Sequence, residues 1–156
     1  MRNQVIISIL FSIISTVLSI CLEVDSTLSQ SSSDSNTVTV YKSPTCGCCN
    51  KWVTHLQEHG FKVIANDTSE LKQIKKKHKV PDELEACHTA IVDGYVVEGH
   101  VPADVIQKML NEHPTAIGIA VPGMPMGSPG MEGSYVESYD VLIFDQKGNV
   151  KVYTSR

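Results

Sequence analysis

The stretch Thr37-Val-Thr-Val-Tyr-Lys-Ser-Pro-Thr-Cys-Gly-Cys-Cys49 begins as a strand and ends as a helix. From Thr37 to Lys42 β-branched and polar residues alternate with the period of a strand, and Ser43, Pro44, Thr45 and Cys46 break it. From Cys48 to His59 the positions Cys49, Trp52, Val53 and Leu56 recur at helical spacing, and Gly60 stands where such a helix stops. Cys46, Cys48 and Cys49 therefore lie where a strand hands over to a helix N-terminus. A thiol there sits in the positive end of the helix dipole, which favours the thiolate that redox chemistry and metal ligation both require.

Working outward, Phe61 to Asn66 reads as a second strand. Asp67 with Glu70 predicts a capping box opening a helix from Glu70 to His78, which Pro81 closes off. Thr89 to Val92, the turn Asp93-Gly94 and Tyr95 to Gly99 form a hairpin signal, and Pro102 suits the first turn of a helix running through Glu112. Val105, Ile106, Met109 and Leu110 are that helix's inward face. Val141 to Phe144 and Val150 to Thr154, around Lys147-Gly148, predict a further hairpin. Between them Pro114 to Ser138 reads as one long loop rich in Gly, Pro and Met. The expected architecture is α/β, a βαβαββα core with an added C-terminal β-hairpin. Its order, with cysteines between the first strand and first helix, resembles the thioredoxin fold: parallel pairing across the crossovers, then an antiparallel hairpin.

Thirteen basic and seventeen acidic side chains leave the 156-residue chain at −4, and 42% of its residues are apolar. That balance suits one domain with a tail and argues against a nucleic-acid binder. The basic run Lys75 to Lys79, interrupted by His78, reads as a solvated helix face. Residues 1–25 have another character. Arg2 precedes an uncharged apolar run from Val5 to Leu22, an export segment that is either a cleaved signal peptide or a retained membrane anchor. Leu18-Ser-Ile-Cys21 loosely resembles a lipidation box, although Ile20 is bulky where a small residue belongs. Residues 26–36 are Ser-, Gln-, Asp- and Asn-rich and read as a flexible linker. Residues 37–156 then form the metal-binding domain, long enough for a core without disulfide staples, so its four cysteines need another explanation. An exported location, periplasmic or membrane-anchored facing the periplasm, follows from the leader, and the membrane enters only through it.

Cys46 and Cys49 form a Cys-x-x-Cys pair that overlaps the Cys46/Cys48 Cys-x-Cys pair. Three crowded thiols cannot all pair with one another, so an inert disulfide explains only part of the cluster. In a thioredoxin-like chain the segment entering the third strand faces this loop and carries a shielding proline; here it reads Glu85-Ala-Cys-His-Thr89. Cys87 and His88 in that place make a pocket of sulfur and nitrogen suited to a soft cation. Each also has a plainer reading, as a small core residue and a hydrogen-bonded histidine. Met124, Met126 and Met131 lie in the long loop, where thioethers favour Cu(I) over zinc or simply pack as a lid. His100, near the end of the hairpin strand, is a further candidate ligand. His55 and His59 share a helix stripe with Cys48, but His55 lies roughly 10 Å away along the axis, too far for one mononuclear site.

The blocks Tyr41-Lys-Ser-Pro-Thr-Cys-Gly-Cys-Cys49, Cys87-His-Thr-Ala90, Gly94-Tyr95, Glu98-Gly-His-Val-Pro102, Val121-Pro-Gly-Met124 and Gly127-Ser-Pro-Gly-Met131 resemble the CopG family of periplasmic copper-resistance proteins, over Val38 to about Tyr153. The resemblance implies a thioredoxin-like fold, copper binding by the cysteine cluster and a role in copper tolerance. By position it carries ligation to Cys46, Cys48, Cys49 and Cys87, and after them to His88 and Met124.

The expected function is an exported protein that binds Cu(I), singly or as a multinuclear cluster bridged by thiolates, and buffers or relays it to copper-handling proteins. Two alternatives stand beside it. One is a thiol or copper oxidoreductase cycling Cys46 and Cys49, and the other a structural zinc site closed by four thiols.

Overall fold

The computed structural model describes residues 36–156 of the chain. The export segment (1–25) and all but the last residue of the linker (26–36) lie outside the described residues. The described chain runs β1 (Thr37–Lys42), α1 (Gly47–Glu58), β2 (Lys62–Asp67), α2 (Leu71–Lys77), a single 3₁₀ turn (Asp82–Leu84), β3 (His88–Val92), β4 (Tyr95–Gly99), α3 (Ala103–Glu112), β5 (Gly118–Val121), β6 (Asp140–Phe144) and β7 (Val150–Ser155). All seven strands join one sheet in the order β2-β1-β3-β4-β5-β6-β7. β1 and β2 are parallel, β1/β3 and β3/β4 antiparallel, β4/β5 parallel across α3, and β5/β6 and β6/β7 antiparallel.

Alternation along the strands sorts the core into two layers. Val38, Val40, Ala90, Val92, Val97, Ile119, Val121, Val141 and Ile143 pack with Trp52 and Leu56 of α1 and with Ala103, Val105, Ile106, Met109 and Leu110 of α3. Val96, Ala120 and Phe144 pack instead with Val80 and Leu84, which follow α2. The sheet is thus covered on both faces, and its middle strands are nearly continuous runs of buried residues, as a two-sided sheet demands.

Four expectations need correction. The stretch 114–138 is not all loop, because Gly118–Val121 is the strand β5. A strand of four residues between Pro114 and Pro122 carries a weak signal, and Gly118 reads as loop although the sheet requires it. A Cβ at Gly118 would lie 2.0 Å from the Val96 carbonyl oxygen. The C-terminal hairpin therefore reaches the sheet through β5. The capping box does not form: Asp67 ends β2 and pairs with Lys42 Nζ at 2.5 Å, while Thr68 Oγ1 accepts the Glu70 N–H at 2.9 Å. Pro102 is the N-cap residue of α3 and precedes its first turn. Lys75 is not on a solvated face but 4% exposed, its ammonium paired with Glu98. A charge run in sequence does not reveal which member faces the sheet.

Candidate metal centre

The β1–α1 junction forms as its residues dictate. Cys46 has an extended backbone and caps the helix through its sulfur, which accepts the Cys49 N–H at 3.3 Å. Cys46 and Cys49 are joined by a disulfide, while Cys48 and Cys87 are free. Cys48 Sγ lies 3.5 Å from Cys46 Sγ. Cys87, just before β3, arrives from the neighbouring strand because β1 and β3 pair with Lys42 opposite His88. The four sulfurs of Cys46, Cys48, Cys49 and Cys87 all lie within 4.8 Å of one another.

A second group shares Cys87. Its sulfur is 3.3 Å from His88 Nδ1 and 3.2 Å from His100 Nε2, and the donor atoms of the three residues also lie within 4.8 Å of each other. His100 is fully buried, and its Nδ1–H donates to the Pro129 carbonyl at 2.7 Å, which leaves Nε2 as the lone-pair nitrogen facing the thiol. His88 packs against Trp52 with ring centroids 4.3 Å apart and the planes tilted by 41°. Trp52 is itself held by a 2.8 Å hydrogen bond from its indole N–H to Val101 O. The buried Nε2 of His88 has no hydrogen-bond partner of proper geometry.

Electrostatics set the protonation states. Burial, then the neighbouring His100 and Lys75, push the His88 imidazole well below its usual range, against a smaller opposing pull from the Gly99 backbone. Burial lowers His100 as well, against the Pro129 carbonyl and Glu132. Both rings are therefore neutral near pH 7 and carry free lone pairs. Burial and the adjacent Cys48 push the Cys87 thiol up to about 12, so it is protonated until a cation displaces the proton.

The methionines are placed less centrally. Met124 is 39% exposed at a positive φ of 50°, and Met126 and Met131 are half-buried. Their loop is nonetheless ordered by its own turns, with Gly127 N–H to Met131 O at 2.9 Å and Met131 N–H to Ser128 O at 2.8 Å. It docks on the site through Pro129 and Gly130, and a Cβ at Gly130 would lie 2.7 Å from Cys48 O and 3.2 Å from His100 Nδ1. His55 takes a structural role, its Nε2 accepting the N–H of Ala103 at 3.1 Å and so capping α3, whose N-cap Pro102 has no side-chain acceptor.

Glu98 and Lys75 were not singled out from sequence as site residues. The available signal was a carboxylate inside the apolar run Tyr95-Val-Val-Glu-Gly99, since an unpaired buried acid is rare. Burial pushes the Glu98 carboxyl up, against the Lys75 ammonium, the Ala86 N–H and the Thr89 hydroxyl.

The family described as "Protein of unknown function, DUF411" matches residues 84–131, the segment holding Cys87, His88, His100 and the loop methionines. Two solved structures of a copper resistance protein copG, Form 2 and Form 1, superpose with a TM-score of 0.73 at 40% sequence identity. The match covers 77% of this chain, and 97% and 96% of those two chains. Comparison with curated protein sequences gives no match.

Proposed function

Since this chain belongs to the CopG copper-resistance family, we propose that it is an exported protein that binds Cu(I) as cargo through Cys46, Cys48, Cys49 and Cys87. The observation that carries this reading is the convergence of four sulfurs within 4.8 Å. Soft thiolates select Cu(I), and sulfurs this close can bridge more than one ion. His88, whose Nδ1 lies 3.3 Å from Cys87 Sγ, and His100, with its lone pair aimed at Cys87, extend the donor set. Met124, Met126 and Met131 supply thioethers from the loop that docks beside it. The order β2-β1-β3-β4 with parallel β1/β2 and antiparallel β3 supports a thioredoxin-like core, to which β5–β7 are added. Residues 1–25 deliver the domain to the periplasm, free or anchored. There the copper passes to or from other copper-handling proteins.

Loading requires the Cys46–Cys49 disulfide to open by exchange with a dithiol reductant, which supplies the two electrons and two protons for the two thiols and is itself oxidised to a disulfide. That disulfide, capping a helix, also favours a second reading as a thiol oxidoreductase that exchanges it with a partner dithiol. Anaerobic titration of Cu(I) into the reduced full chain, against a competing chelator, tests the first reading. We expect tight binding that is lost in Cys46→Ser and Cys49→Ser. Full stoichiometry in both variants would sink it, and metal-free reduction of insulin by the chain would favour the second.

A further inference from the structure

Cys87 lies just outside the strand ladder: the β1/β3 pairing ends at Lys42 opposite His88, and the β3/β4 pairing ends at Thr89 opposite Glu98. Its position must therefore come from something other than sheet hydrogen bonds. Glu98 is fully buried, and its carboxylate bridges Ala86, beyond the end of the ladder, to Thr89, the residue opposite it within the ladder. Oε1 accepts the Ala86 N–H at 2.7 Å and also the Lys75 ammonium, while Oε2 accepts the Thr89 hydroxyl at 2.7 Å. Lys75 Nζ closes the network by donating to Thr89 Oγ1 at 3.0 Å.

Resting on the metal-binding reading above, we propose that the buried Lys75–Glu98 pair is a positioning device for Cys87, pinning Ala86 and Thr89 so that the thiol between them meets the sulfurs at the start of α1. A carboxylate is the side chain suited to this task, since it offers acceptor sites to three donors at once, and a buried carboxylate needs a cation beside it. Stability alone is a poor reason for the pair, because well-packed apolar residues of similar volume do as well or better in such places. The anchor also ties the last turn of α2, through Lys75, to the metal centre.

The test uses the full chain carrying Lys75→Met with Glu98→Leu, which strands no buried charge. The first readout needs no metal: maleimide labelling under native conditions, followed on the Cys87 peptide by mass spectrometry. Losing charge-assisted hydrogen bonds on both sides of the residue should raise its labelling rate about tenfold or more. An unchanged rate in the folded variant overturns the proposal. The second readout is Cu(I) affinity by chelator competition, expected to fall about 10–100-fold, the usual effect of removing groups that orient a ligand. In a Cys87→Ser background the same change should cost no more than about twofold, since a device acting through Cys87 has nothing left to position. An equal loss in both backgrounds means a merely structural role and also overturns it. Should the double variant not fold, Thr89→Val withdraws one donor alone, with an expected rise in labelling of about fivefold. If the native chain takes up no copper, the proposed function falls, while the labelling rate still decides the positioning role.

Discussion

Gly130→Ala should loosen the methionine loop from the candidate metal centre, and its cost can be worked out from the site. Gly130 has a φ of +88°, and a Cβ there would meet Cys48 O at 2.7 Å, Trp52 N at 3.0 Å and His100 Nδ1 at 3.2 Å. The first two atoms are backbone of α1 and the third belongs to a fully buried ring, so the loop has to yield. The left-handed backbone alone adds about 1–2 kcal/mol for alanine. Relieving the 2.7 Å overlap with Cys48 O to ordinary contact takes a shift of about 1 Å, enough to carry the 2.7 Å His100–Pro129 hydrogen bond past its limit, and an unsatisfied buried N–H costs about 1–3 kcal/mol. The expected loss is about 2–5 kcal/mol in total. Gly123→Ala is the control, because Gly123 shares the positive φ, +78°, with nothing within 4 Å of its added Cβ. It should lose only the backbone part, about 1–2 kcal/mol. Urea unfolding at constant m-value, with the cysteines held in one redox state, measures both. Equal losses in the two variants would refute the reasoning, since the docking of Gly130 on α1 and His100 would then contribute nothing.

Stability should fall in mild acid. Burial holds His55, His88 and His100 below the 6.5 of the unfolded chain, so between those depressed values and 6.5 the unfolded state binds the protons. The stabilisation is complete above 6.5 and is lost as pH falls through the folded values; urea midpoints that stay flat on acidification would contradict it. Trp52→Phe should cost about 1–3 kcal/mol, since it leaves the buried Val101 carbonyl without its indole donor, and thermal unfolding checks this. The same variant should also disturb the His88 ring resonances, because the Trp52 ring packs against that imidazole.

Much of the molecule was legible without coordinates. The strand-to-helix switch at Cys46, the Asp93-Gly94 hairpin and the inward face of α3 follow from local chemistry: periodicity, a turn dipeptide and helix-ending glycine. The thiol cluster was legible too, because Cys46, Cys48 and Cys49 are neighbours in the chain, and Cys87 follows once β3 is laid beside β1. What local patterns did not contain was contact between distant segments. β5 is recognisable only when Gly118 is pressed against Val96, and a glycine between prolines otherwise reads as loop. Lys75 looks like one lysine in a solvated run until β4 places Glu98 beside it. His100 joins the cluster because the carbonyl of Pro129, 29 residues further on, accepts its Nδ1–H and so leaves Nε2 facing Cys87. Periodicity and turn chemistry act within a few residues of their source, so they specify elements and the ligands carried on one element. Burial, ion pairing and tautomer choice depend on what the rest of the chain brings within a few ångströms, and only the tertiary structure decides them.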